Sequence, residues 1–142
     1  MLHFDSDYME TAHPAILERF MSIIGEQNTG YGQDKYTLQA AKKIAMACGK
    51  PDAYVKFLVG GTQTNSTVID AFLRTYEGVI AVEQGHIAVH EAGAIESCGH
   101  KVLPIKGENG KIPADRLLNY LKDFYADETY EHMGNYNYLY RK

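Results

Sequence analysis

The residues with the clearest chemical potential form the run Gly60-Gly61-Thr62-Gln63-Thr64-Asn65. An apolar stretch at positions 57–59 precedes it and an amphipathic pattern follows, which predicts a buried strand, a tight turn and a helix N-terminus. A helix N-terminus offers unpaired N–H groups and a partial positive charge, and glycine lets an anion approach them closely. The run therefore predicts a phosphate-binding turn, to which Thr62 adds a hydroxyl donor.

Two well-known phosphate motifs are excluded for this turn. The Gly-Lys-Ser/Thr ending of a P-loop is missing, and so is the third glycine of the dinucleotide-binding fingerprint. An alternative stays open, in which the glycines serve only the conformation of the backbone.

A second polar feature, Gly85-His86, follows another apolar run, at positions 78–82. In sheets of parallel strands, ligand sites lie outside the carboxyl ends of the strands. The glycine turn and His86 each follow a predicted strand, so we expect Gly61, Thr62 and His86 to share one pocket at the same edge of the sheet.

The elements that must position these residues alternate along the chain. Strands are predicted at 54–59, 78–82 and 100–105, with the last one exposed near Pro104. Helices are predicted from Pro14, after an Asp34 N-cap, over 62–74, over 90–95 and from Pro113, and Asn109-Gly110 marks a turn. This spacing predicts an α/β fold, a three-layer sandwich with a mostly parallel sheet.

Composition narrows the function classes. The chain has 142 residues, one domain's worth, and a formal charge of −4, which argues against nucleic acid as a partner. The sequence predicts no membrane-spanning run and no signal peptide. Cys48 and Cys98 lie far apart and outside metal-ligand spacing, so we expect reduced thiols, no metal site and a cytoplasmic protein.

The last nine residues, 134–142, are biased toward Tyr and Asn and show no clear period. We expect this tail to be poorly packed and not to join the sheet in register. Residues 1–133 are expected to form one domain that is incomplete, with 134–142 a divergent tail from a truncation or frameshift.

Taken in order, the motifs of this chain resemble those of low-specificity L-threonine aldolases, within the aromatic amino acid beta-eliminating lyases. The matching residues are Phe4-Asp5-Ser6-Asp7, Gly30-Tyr31-Gly32, Gly60-Gly61-Thr62-Gln63-Thr64-Asn65, Gly85-His86 and Glu91-Ala92-Gly93. The resemblance implies the N-terminal part of the large domain of a pyridoxal-phosphate enzyme with the aspartate-aminotransferase-like fold. It also implies a homo-oligomer, dimer or tetramer, with no nucleic acid and no membrane as partners.

The resemblance also implies roles for individual residues. Gly61, Thr62 and Gln63 would hold the phosphate of pyridoxal 5'-phosphate, and His86 would stack on its ring and take part in proton transfer. Glu91 would orient His86 or act as a base, or it is simply a helix-start carboxylate. Ser6 and Tyr31 would line the substrate pocket, with Tyr31 able to serve the site of a partner subunit. The other histidines that were assigned no role are interpreted as structural: His90, His100 and His132.

The implied reaction belongs to amino acid metabolism. It is the cleavage of L-threonine, and of related 3-hydroxy amino acids, to glycine and an aldehyde. The resemblance implies that the family's Schiff-base lysine lies beyond residue 142. Lys101, Lys106 and Lys111 lie on a predicted strand and its following turn, in no matching context. We therefore expect weak or absent cofactor binding and no activity from this chain alone. Two alternatives are a module that binds a phosphorylated ligand and a non-catalytic chain that pairs with a full-length homologue.

Overall fold

The structure is a computed structural model that describes residues 9–133 and 135–139. The chain divides into two compact units, with the boundary between Phe57 and Leu58. The elements, in chain order, are helices α1 (Pro14–Ser22), α2 (Lys35–Ala47) and α3 (Gly61–Phe72), strand β1 (Glu77–Val82), helices α4 (His86–Val89) and α5 (Ala94–Ser97), strand β2 (Val102–Ile105), helix α6 (Ala114–Ala126), a 3₁₀ turn (Tyr130–Met133) and strand β3 (Asn135–Leu139). In the described residues, no helix combines the length and the apolar character that crossing a membrane requires.

The first unit carries α1 and α2, and the predicted N-cap of α2 is confirmed. Asp34 Oδ1 accepts the backbone N–H groups of Tyr36 at 3.0 Å and Thr37 at 2.9 Å, and Oδ2 accepts the Thr37 hydroxyl at 2.6 Å. These bonds, the Thr37 hydroxyl first among them, hold the pKa of Asp34 below its ordinary value. The cap satisfies donors that the first turn of a helix leaves unpaired.

The second unit is built on a parallel sheet with the strand order β2-β1-β3. β1 is the central strand, and Val79 pairs with Val102 on one side while Glu77 pairs with Asn135 on the other. The apolar runs at 78–82 and 100–105 therefore form the strands that the sequence predicts. Asn109-Gly110 is also confirmed as a turn, with both residues at positive φ.

Helices cover both faces of the sheet, which gives the predicted three-layer arrangement. Val79 and Ala81 point to one face, where they pack with residues of α3, α4 and α5. Ile80 points to the other face, in a cluster that also holds Leu103, Ile105 and, from α6, Leu117, Tyr120, Leu121 and Phe124. A strand buried on both faces reads as a continuous apolar run, as β1 does.

The strand predicted at 54–59 is wrong, because these residues form no strand in the structure. Tyr54, Phe57, Leu58 and Val59 are exposed. An apolar run forms a strand only where a neighbouring strand accepts its hydrogen bonds, and periodicity cannot show whether that neighbour exists.

The expectation that the tail does not join the sheet is also wrong, since residues 135–139 pair with β1 as the parallel strand β3. The register of the β1–β3 pairing shifts between Gly78 and Val79, as it does at a β-bulge. Asn and Tyr alternate in this segment with the period of a strand, and Tyr favours strands. Residues 134 and 140–142 of the predicted tail lie outside the described residues.

The helix predicted over 90–95 is replaced by two shorter ones, α4, which ends before this range, and α5, which begins within it at Ala94. Ala92 and Gly93 have φ angles of 50° and 76°, which no right-handed helix can contain. Gly93 occupies the N-cap position of α5. The break leaves Glu91 between the two helices.

Candidate functional site

The N-terminus of α3 presents backbone donors. Gly60 is the N-cap and has no side chain to cap the helix, and the first intrahelical bond runs from the Thr64 N–H to the Gly60 carbonyl at 3.0 Å. The N–H groups of Gly61, Thr62 and Gln63 precede that bond and point out of the helix end. All three residues are exposed, so an anion can reach these donors.

The structure bears on why glycine occupies positions 60 and 61. Gly60 has a φ of −163°, extended backbone that any residue adopts, and Gly61 is helical. Among the described residues, a Cβ added at either position would meet nothing within 4 Å. In that part of the chain, neither backbone strain nor crowding requires these glycines, and the turn has room for a ligand.

Gln63 helps to fix the turn. Its Oε1 accepts the backbone N–H of Val59 at 2.9 Å, which ties the chain before the helix to its first turn. The carbonyl of Thr62 accepts the Ser66 hydroxyl at 2.8 Å, one turn along. The side-chain amide of Gln63 keeps its own N–H donors for a different acceptor.

His86 begins α4, four residues beyond the end of β1. Gly85, which precedes it, turns the chain tightly: its N–H donates to the Val82 carbonyl at 2.7 Å, and a Cβ there would lie 2.8 Å from that oxygen. The tight turn places His86 close to the carboxyl end of the central strand. Its side chain is 34% exposed, so the ring is partly open to solvent.

Glu91 joins His86 to α3. His86 Nδ1 lies 2.7 Å from Glu91 Oε1, and the same oxygen accepts the side-chain N–H of Asn65. The side chain of Glu91 is 0% exposed. Its other oxygen, Oε2, is buried with no hydrogen-bond partner among the described residues. A carboxylate that is buried and engaged in this way is suited to orienting His86, whereas direct access to a substrate is closed to it.

A second hydrogen-bonded group fixes the orientation of α3 on the sheet. His100 is buried, with Nδ1 3.1 Å from the Glu77 carbonyl and Nε2 3.3 Å from Asp70 Oδ1. Asp70 lies near the end of α3 and Glu77 begins β1, so this group ties the end of the helix to the beginning of the strand. The N-terminal half of α3 therefore runs toward the carboxyl end of β1, the side from which His86 emerges.

These contacts bring α3 within side-chain reach of His86. Asn65, one turn after Gly61, is the residue that makes the connection. That Gly61, Thr62 and His86 line one pocket stays a prediction. Sequence reasoning missed Asn65 as a site residue, although it ends the glycine motif.

The other histidines fit their structural interpretation to different degrees. His100 is buried and hydrogen-bonded, as a structural histidine is expected to be. The His90 ring lies 5.6 Å from the His86 ring, centroid to centroid, and is exposed. His132 is exposed in the 3₁₀ turn. Within the described ranges, no three or more His, Cys, Asp or Glu residues are grouped to hold a metal ion.

Two further residues, Tyr31 and Ser6, are predicted to line the substrate pocket. Tyr31 is 100% exposed, with a φ of 60°, on the bend between two glycines in the first unit. Ser6 lies outside the described residues. Their roles stay predictions.

Comparison with known proteins adds two findings. The family model described as beta-eliminating lyase matches residues 3–131. A solved structure of the threonine aldolase of Leishmania major matches this chain with a TM-score of 0.87 and 38% sequence identity, over 95% of the chain. This chain spans 38% of the length of the Leishmania chain. A search of curated proteins found no match.

Proposed function

Because this chain belongs to the beta-eliminating lyase family, we propose that it supplies the phosphate-binding and ring-contacting part of a pyridoxal-phosphate lyase site. The observation that carries the proposal is the uncapped start of α3, where three exposed N–H donors face open space beside two glycines. A phosphate dianion is the ligand that such a helix end favours most. The Gly61, Thr62 and Gln63 assignments rest on this geometry.

The residues present fit the cofactor. When bound, pyridoxal phosphate supplies an electron sink for cleaving a bond to the carbon that carries the substrate amino group. Gly61, Thr62 and Gln63 would hold its phosphate through N–H and hydroxyl donors, and His86 would contact its ring. The partial exposure of His86 leaves its ring a free side for that contact.

Within this site, His86 holds and moves the proton, and Glu91 positions His86. Oε1 of the buried Glu91 lies against Nδ1, so Nε2 is the nitrogen that faces away from the carboxylate. An imidazole nitrogen without a proton can act as a general base near neutral pH. The burial of Glu91 favours the positioning role over the base role, of the two roles expected for it.

The proposed reaction is the cleavage of L-threonine and related 3-hydroxy amino acids to glycine and an aldehyde. Its support is the similarity to the Leishmania threonine aldolase, together with a histidine base beside the site. Ser6 and Tyr31 are proposed to contact the substrate, with Tyr31 serving the site of a second subunit. The exposure of Tyr31 on a glycine-flanked bend is compatible with that role.

Comparing the binding of pyridoxal phosphate with that of pyridoxal tests this proposal. Both compounds carry the reactive aldehyde, and only the first carries the phosphate. We expect equilibrium dialysis to show weak, roughly millimolar, binding of the phosphorylated form. Thr62→Ala should weaken it by about fivefold, the effect of one lost hydrogen bond. Thr67→Ala, on the exposed side of the same helix, is the matched control and should leave binding unchanged. Equal binding of the two compounds would refute the phosphate site.

A further inference from the structure

We propose that Asn65 is a positioning residue for His86 and that it acts through Glu91 to fix which ring nitrogen of His86 carries the proton. The proposal deepens the function proposed above, and only its consequence for catalysis rests on that function. The hydrogen bonds themselves lie entirely within this chain.

The argument begins at Glu91 Oε1, which receives two contacts. Asn65 Nδ2 is an amide nitrogen and can only donate, so Oε1 acts as the acceptor in that bond. Oε1 can then accept a second hydrogen bond from His86 Nδ1, 2.7 Å away, provided that Nδ1 carries the proton. By holding Oε1 as an acceptor against Nδ1, the Asn65 amide favours the ring form of His86 that carries its proton on Nδ1.

Burial makes the contribution of Asn65 matter. The Glu91 side chain is fully buried, and its Oε2 has no hydrogen-bond partner in the part of the chain that the structure describes. Desolvation penalises a buried carboxylate, and hydrogen bonds to its charged form offset that penalty. Without the Asn65 donor, Oε1 is no longer held against Nδ1, and the ring proton of His86 can move from Nδ1 to Nε2.

The consequence lies at the exposed side of the ring. With Nδ1–H held by Glu91, the neutral ring has a bare Nε2, and the His86 side chain is 34% exposed. A bare Nε2 can take a proton from a hydroxyl group, whereas a protonated Nε2 cannot. Asn65 therefore decides whether His86 is ready to act as a base, without touching a substrate itself.

The position of Asn65 in the fold links the two halves of the site. It lies four residues after Gly61 on α3, so the helix that offers the phosphate donors also fixes the proton on His86. Asn65 stays within the second unit, as do Glu91 and His86.

Nitrogen-15 NMR of the histidine side chains tests the proposal directly on the full chain, with no cofactor added. Spectra are recorded at about pH 9, where histidine rings are neutral, so that each ring reports its tautomer. The chain has six histidines, and His86→Asn assigns the signal of His86. We expect the Nδ1–H form to predominate in the unsubstituted chain. Asn65→Ala should lower the ratio of Nδ1–H to Nε2–H by about fivefold, as expected for one net hydrogen bond.

Two further variants keep the test decisive. Asn119→Ala makes the same change at an exposed position of α6 and should leave the His86 tautomer unchanged. If Asn65→Ala does not fold, Asn65→Asp keeps the shape of the side chain but removes the N–H donor, and it should lower the ratio as well. A folded Asn65 variant with an unchanged ratio would overturn the proposal. Loss of folding in both variants would overturn it too, because Asn65 would then serve the fold.

The outcome is distinguishable from failure of the proposed function. If pyridoxal phosphate does not bind but the tautomer depends on Asn65, the positioning role stands and the lyase assignment falls. If the cofactor binds but the His86 tautomer ratio does not change in the Asn65 variants, the lyase assignment stands and the positioning role is refuted.

Discussion

His86 Nδ1 and Glu91 Oε1 are 2.7 Å apart, and the carboxylate in this pair is fully buried while the imidazole is partly exposed. The buried Glu91 can therefore orient His86, and the partly exposed His86 can react. Glu91 lies five positions after His86 in the sequence. The turn at Ala92 and Gly93 leaves Glu91 pointing back at the start of α4.

The glycines of the α3 start should be dispensable for folding but not for ligand binding. Gly61→Ala places a Cβ in open space on a helical residue, so the melting temperature should be unchanged or slightly higher. The same Cβ would occupy the space of the anion and should weaken pyridoxal phosphate binding by about tenfold, equivalent to about 1.4 kcal/mol.

Gly78→Ala is the matched control for that variant. A Cβ at Gly78 would lie 2.8 Å from both Leu103 Cδ1 and the Lys101 carbonyl oxygen, and the backbone oxygen cannot easily move away. We expect a loss of about 1–3 kcal/mol in the free energy of unfolding. If Gly61→Ala were as destabilising as Gly78→Ala, the glycine at position 61 would serve the backbone after all.

His100→Ala should destabilise the second unit. The change removes the hydrogen bond to the Glu77 carbonyl and the contact with Asp70, and it opens a cavity where a buried ring stood. The expected loss is about 2–3 kcal/mol in denaturant unfolding. His132→Ala, at an exposed residue, should change stability by less than about 0.5 kcal/mol. Equal effects from the two variants would contradict the role of His100 in holding α3.

Asp34 should make the first unit sensitive to acid. Its pKa is lowered in the folded chain from the ordinary 3.8, by the Thr37 hydroxyl and then by backbone N–H groups. Stability from this cap is therefore present above the ordinary value and is lost as the pH falls through the lower folded value. Asp34→Ala should lower the melting temperature by a few degrees at neutral pH, measured by helical circular dichroism. The difference from the unsubstituted chain should shrink toward zero below that window, and a difference that persists in strong acid would contradict the assignment.

Purified as these 142 residues, the chain should not cleave threonine. This prediction rests on the match of this chain to 38% of the Leishmania chain and on the sequence-based expectation that the Schiff-base lysine has no counterpart here. Glycine and acetaldehyde released with pyridoxal phosphate and threonine should equal the free-cofactor background. Turnover above that background, abolished by His86→Ala but not by His132→Ala, would contradict this expectation.

The sequence predicts those elements whose causes are local. The Asp34 cap, the helix starts at Pro14 and Pro113, and the turn at Asn109 follow from side-chain and backbone preferences that act within a few residues. The central strand is equally visible, because burial on both faces requires a continuous apolar run.

Which strands pair with each other is not determined by local sequence, and both errors in predicting strands have this cause. Residues 54–59 are apolar enough for a strand but have none to pair with in the described part of the chain, whereas residues 135–139 pair with β1 despite their polar Asn residues. The site likewise contains one contact that is local in sequence and one that is not. His86 and Glu91 are neighbours in sequence, but the contact from Asn65 to Glu91 spans 26 residues and depends on how α3 lies against the sheet.

Amide chemical-shift mapping with two ligands tests the central claim most directly. Inorganic phosphate and pyridoxal phosphate are titrated separately into the isotope-labelled chain. Both should shift the backbone N–H signals of Gly61, Thr62 and Gln63, and only pyridoxal phosphate should also shift the ring signals of His86. If pyridoxal phosphate leaves the start of α3 unperturbed, or binds without affecting His86, the chain does not carry the cofactor site proposed for it.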